Sequence, residues 1–223
     1  MRRIFSVCAT LGALSLVVSQ QARAGDERDL KGTYAFTLAE SCVQQNSFNP
    51  PGFDSNFRIV DSDGAMTYGG ASDGLMVFDG RGGVSIQQAA ATNIFNAPNF
   101  LATGSIPLGF GFGPALPFTC VGDYTVSGGK IAADFTCTAS ISPTNPGNPD
   151  PNNAITGFQS VFNMRGFLSQ NPSHLVLTDI GDTLQPVTIF VNGGASKGGS
   201  NIPATRVCTR ATTLDLVSNR TGR

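Results

Sequence analysis

Alternation of apolar and polar residues at a period of two runs through most of this chain. GTYAFTLAESC puts Tyr34, Phe36, Leu38, Glu40 and Cys42 on one side of an extended segment. RVCTRATTLDL does the same with Arg206, Cys208, Arg210, Thr212, Leu214 and Leu216. GLMVFDGRGGVSIQ reads as a hairpin around Asp79 to Gly83, with Phe78 facing Val84 and Met76 facing Ile86. FQSVFNMRGFL, SQNP and SHLVLTDI form a further hairpin, and LQPVTIFVN a strand before the last. Gly, Asn, Asp and Pro punctuate these runs, and no segment has the 3.6-residue period of an ordinary helix. The pattern predicts an all-β chain: a single antiparallel β-barrel of about eight strands.

One stretch fixes its own register. In CVGDYTVSGGKIAADFTC a two-residue turn at Gly128-Gly129 makes partner numbers add to 257. Cys120 and Cys137 then sit opposite each other on a non-hydrogen-bonded pair, where α-carbons come closest. The same register gathers Tyr124, Val126, Ile131, Ala133 and Phe135 on the cysteine face and Asp123, Thr125, Lys130 and Asp134 on the other. A slip of one residue would destroy that segregation. A disulfide is therefore expected, and it leaves Cys42 and Cys208 to pair once Cys8 is set aside. Pairing the first and last strands through those cysteines sets Tyr34 against Leu216, Phe36 against Leu214 and Glu40 against Arg210. Apolar meets apolar and acid meets base. Such a junction closes a sheet and removes its edges.

The N-terminus changes the picture of compartment. Arg2 and Arg3, the apolar run Ile4 to Val18, and Ala22-Arg23-Ala24 read as a secretory signal peptide over residues 1–24. The remaining residues, 25–223, form one β-barrel domain of 199 residues in this reading, periplasmic or secreted. Without Arg2, Arg3 and Arg23 the chain holds 11 basic and 15 acidic residues, a net charge of −4. That balance offers nucleic acid nothing, and no later segment is long and apolar enough for a transmembrane helix.

Two long loops exceed what a minimal barrel needs. Residues 93–118 are Gly- and Pro-rich with five phenylalanines, and read as a plug, a lid or a contact patch. Residues 142–154 are Pro- and Asn-rich and read as a solvated loop. Gly70 to Gly74 and Gly194 to Gly198 both match G-x-S-x-G, but they read as Gly-rich turns rather than the strand-turn-helix elbow of a hydrolase. His174 is the only histidine and reads as a solvated residue at a strand start, so a histidine metal cluster is excluded. Asp61-Ser62-Asp63-Gly64 lacks the closing Glu of a calcium loop and reads as an Asp-rich turn.

LKGTYAFTL, GLMVFDGRGGVSI and CVGDYTVSGGKIAADFTC together resemble a group of exported bacterial β-barrel proteins. They are similar in turn to the calycin-like barrel of the allene oxide cyclase and dirigent families. The likeness is best over residues 32–137 and rests on turn and core residues. It implies a cofactor-free barrel that binds a small apolar molecule or steers a cyclisation. It carries over no catalytic residue.

Charges on an interior face are costly unless paired, so Glu40, Arg210 and Arg206 are the candidate polar anchor. Tyr34, Phe36, Tyr124 and Phe135 are the candidate walls of a lumen. The expected function is non-catalytic binding of a small apolar or amphipathic molecule. The alternatives are a cofactor-independent isomerase or cyclase with Glu40 as proton-transfer group, and a structural or surface-interaction protein. No cofactor and no metal is expected in any of them.

Overall fold

The computed structural model describes residues 26–45, 53–59, 65–96, 116–140, 155–168, 172–181 and 183–218. The stretches 1–24, 61–64 and 142–154 lie outside them, as does 97–115 from the Phe-rich loop. Among the described residues are nine strands: β1 Lys31–Gln45, β2 Ala65–Asp79, β3 Gly83–Asn96, β4 Leu116–Ser127, β5 Lys130–Ser140, β6 Ile155–Phe167, β7 His174–Ile180, β8 Gln185–Val191 and β9 Ser200–Ser218. The described helix is confined to two 3₁₀ turns, Glu27–Asp29 and Ala195–Lys197. The two ends of the stretch 93–118 belong to strands, since β3 runs to Asn96 and β4 starts at Leu116.

All nine strands form one antiparallel sheet closed into a ring. Successive strands are neighbours from β1 to β6, and β9 pairs back onto β1. Nine strands fill about the expected eight places because β7 and β8 share one position. β7 pairs with the C-terminal half of β6, through Arg165↔Thr178 and Gly166↔Leu177. β8 pairs with its N-terminal half, from Ser160↔Val187 to Ile155↔Val191. Both pair with β9 on their other side. The ring thus has eight positions, one of them interrupted between Ile180 and Gln185.

The registers are those the alternation specifies. Phe78 faces Val84 and Met76 faces Ile86. Cys120 faces Cys137 across a turn whose two glycines have φ of 58° and 75°, the positive pair a two-residue hairpin turn requires. Tyr34, Phe36 and Glu40 face Leu216, Leu214 and Arg210. Both disulfides are present, Cys42–Cys208 and Cys120–Cys137, with Cα separations of 4.1 Å and 4.0 Å.

The two ends of the ring differ. One end has the tight turns β2–β3 and β4–β5 and is filled by side chains. Leu30, just after the first 3₁₀ turn, is fully buried there. The Tyr124 hydroxyl lies 2.8 Å from the Leu30 carbonyl oxygen and 2.9 Å from that of Glu27. The Tyr34 hydroxyl donates to the Pro172 carbonyl at 3.0 Å. Between them Phe78 meets both tyrosine rings edge-on, at centroid distances of 5.5 Å and 5.0 Å. The C-terminal ends of β1, β3 and β5 and the N-terminal ends of β2, β4 and β6 lie at the opposite end.

Candidate functional site

Inward positions of a half-buried strand are normally apolar, and among the described residues charged or amide side chains break that rule on four strands. β1 turns Glu40 inward, one step beyond Leu38 on the same face. β9 does so with Arg206 and Arg210, on either side of Cys208. β7 carries Asp179 in phase with Leu175 and Leu177, and β8 carries Gln185 in phase with Val187 and Ile189. Asp179 is the penultimate residue of β7 and Gln185 the first of β8, so both flank the interruption in the wall.

These side chains converge on the Arg210 guanidinium. Its Nε donates to Glu40 Oε2 at 2.9 Å. Its Nη1 donates to Asp179 Oδ2 at 2.6 Å and to Gln185 Oε1 at 2.9 Å. Its Nη2 lies 3.9 Å from Cys42 Sγ. The Phe162 ring lies against its face, 4.7 Å from guanidinium carbon to centroid. Gln185 Nε2 donates to Asp179 Oδ2 at 2.5 Å, and Arg206 Nε to Gln185 Oε1 at 3.3 Å. The other Asp179 oxygen accepts the Gly181 amide at 3.1 Å, which ties the layer to the backbone of the interruption. The Arg210 and Asp179 side chains are 1% and 0% exposed, and that of Glu40 is 14% exposed. A buried ion pair of this kind holds only when its remaining donors and acceptors are also engaged.

This layer separates two apolar clusters. The larger runs from Leu30 through Tyr34, Phe78 and Tyr124 to Phe135 and Phe162. The smaller is Val187, Ile189, Val191 and Ala204, with Leu116, Phe158 and Ile202 packed on it. Of the residues named from the sequence, Glu40, Arg206 and Arg210 are brought together. Phe135 reaches the layer indirectly, stacked on Phe162 at 5.1 Å. Tyr34 and Tyr124 lie at the filled end. Tyr34, Phe36, Tyr124 and Phe135 are only 1–3% exposed, packed within the larger cluster. Burial pushes the Tyr34 hydroxyl above its ordinary pKa and that of Tyr124 up to about 12.

Asp179, Gln185 and Phe162 lie in predicted strands but are not among the site residues that the sequence names. Their signal is the phase of the alternation: a polar residue standing where the strand expects an apolar one, as in LVLTD and QPVTIFV.

Glu40 and the sulfurs of Cys42 and Cys208 approach within 4.8 Å. The sulfurs are bonded to each other and supply no thiolate to a metal. Gly70 to Gly74 lies inside β2, not in the expected turn, and Ser72 is buried there. Gly194 to Gly198 is the second 3₁₀ turn with its caps. Neither is a strand-turn-helix elbow. His174 opens β7 with its side chain 58% exposed and Nδ1 2.7 Å from Asp215 Oδ1.

The class defined so far is an all-β protein with one ring-closed antiparallel sheet, two disulfides and a buried charged layer. No family model matches the chain, and no curated protein matches it. Among solved structures it is similar to the crystal structure of Rv2717c from M. tuberculosis, with 12% identity over 84% of this chain and 92% of that one, and a TM-score of 0.25. A likeness at that score carries no argument about the site.

Proposed function

We propose that this chain is exported by a cleaved signal peptide and binds a small apolar or amphipathic molecule in a calycin-like β-barrel, without chemistry or cofactor. The two disulfides support the first part, since such bonds persist in oxidising compartments. The observation that carries the second is the charged layer itself. Replacing a buried ion pair by apolar side chains is often neutral or stabilising, so packing alone gives little reason for four charges inside the ring. A ligand with a polar end gives one. Its polar end meets the layer, and its apolar part lies on the side of Val187, Ile189 and Phe158, away from the filled end.

Native mass spectrometry of the protein purified from its own host, before and after organic extraction, tests this. An extractable small molecule is the expected result. A clean apoprotein mass across growth conditions would favour the structural reading instead.

Glu40 is the most exposed charge at the Arg210 site, which favours one second reading, a cofactor-independent isomerase or cyclase with Glu40 moving the proton. Glu40→Gln separates the two. Loss of turnover with binding retained would establish catalysis.

A further inference from the structure

The charges of the layer cancel. Among the described residues, Asp179, Arg206 and Arg210 are buried and Glu40 nearly so. They supply two negative and two positive groups. A charged ligand would bring a fifth, uncompensated charge into a site mostly withdrawn from water.

The hydrogen bonds point the same way. A carboxylate or phosphate ligand is recognised by a guanidinium fork with donors to spare. Every nitrogen of Arg210 already faces an acceptor: Glu40 at Nε, Asp179 and Gln185 at Nη1, and the Cys42 sulfur at Nη2. Its flat face is covered by Phe162. Glu40 has acceptor capacity to spare. A carboxylate has about four lone-pair positions. Glu40, the member open to solvent at 14%, accepts from Arg210 through Oε2.

We propose that the ligand's polar end is an uncharged hydrogen-bond donor, an alcohol that donates to Glu40, and that the charge balance set by Asp179 and Glu40 selects it over ions. This rests on the binding reading above. Asp179 is the specificity determinant that the sequence alternation marks but the registered pair Glu40–Arg210 does not include. Without it the layer would carry a net positive charge and favour anions.

Three probes with one tail length test the idea: 1-decanol, decanoate and decylammonium, titrated calorimetrically into the delipidated protein near neutral pH. The wild type is expected to bind decanol at least about tenfold more tightly than either ion. Asp179→Asn is expected to shift the decanoate-to-decanol affinity ratio about tenfold toward decanoate. Glu40→Gln makes the same change of charge at the more exposed position and carries the test if Asp179→Asn does not fold. An ion binding as tightly as decanol to the wild type overturns this inference and leaves the binding reading standing. A ratio unmoved in the folded variants also overturns it. Binding of none of the three removes both readings together.

Discussion

Arg210 holds the buried layer together because it pairs with both of its acids. Truncating it leaves Asp179, whose side chain is 0% exposed, without its ion-pair partner. Arg210→Ala is expected to cost about 3–5 kcal/mol, as other broken buried pairs do. Glu40→Ala should cost less, about 1–2 kcal/mol, because water can reach that side chain. Urea unfolding of both variants checks the order, and equal costs would contradict it. The pair Glu40–Arg210 was legible because both residues sit in runs whose cysteines fix the register. Asp179 was not, since nothing in LVLTDI says which strand it faces. Tyr124 gives a test at the filled end. Its pKa, raised to about 12 from 10.0, means the folded state holds this proton more tightly than the unfolded one. The stability it contributes is fully present below pH 10 and is lost as pH rises through 12. Tyr124→Phe should cost about 1 kcal/mol near neutrality and flatten the decline between those limits. A decline of the same slope in the variant would assign it to other groups.

The β4–β5 hairpin is the element read most completely from sequence, down to which residues are buried. Tyr124, Val126, Ile131, Ala133 and Phe135 point inward, while Asp123, Thr125, Lys130 and Asp134 are exposed. It was legible because a two-residue turn leaves no freedom of register. The β7–β8 position was not. Two separate alternating runs predict two strands, and only the pairing with β6 and β9 shows that they lie end to end. Within the hairpin two glycines serve different ends. A Cβ at Gly122 would overlap the carbonyl oxygen of Asp134 and stand 3.1 Å from Phe135 Cα, so the strands would have to part. One at Gly128 would meet nothing within 4 Å, and only its φ of 58° opposes a side chain. Gly122→Ala is expected to cost about 2–3 kcal/mol. Gly128→Ala should cost about 1 kcal/mol. Thermal unfolding of the two variants compares them, and a larger loss at Gly128 would mean that the turn, not the close approach, limits the hairpin.

For the whole molecule, closure is the property that matters, and it depends on β9 returning to β1. That ladder runs from Gln45↔Thr205 to Thr33↔Ser218 and is stapled by Cys42–Cys208 near its Gln45 end. The other disulfide joins strands already connected by a two-residue turn. The two bonds therefore restrict the unfolded chain very differently, with sequence separations of 166 and 17. By loop-closure entropy the long one is worth about 5 kcal/mol and the short one about 3 kcal/mol. Both pairs are buried, so replacing either by serines removes similar packing and leaves the entropy difference visible. The double variant Cys42→Ser/Cys208→Ser should lose about 2 kcal/mol more in urea unfolding than Cys120→Ser/Cys137→Ser. The site sharpens the contrast, because Cys42 and Cys208 lie beside Glu40 and Arg210 while Cys120 and Cys137 do not take part in the layer. Opening the long loop should thus weaken ligand binding as well as stability, and opening the short one should weaken stability alone. Equal losses in both variants would mean that the β1–β9 ladder closes the ring without help from its staple, and that the bond serves the charged layer rather than the fold.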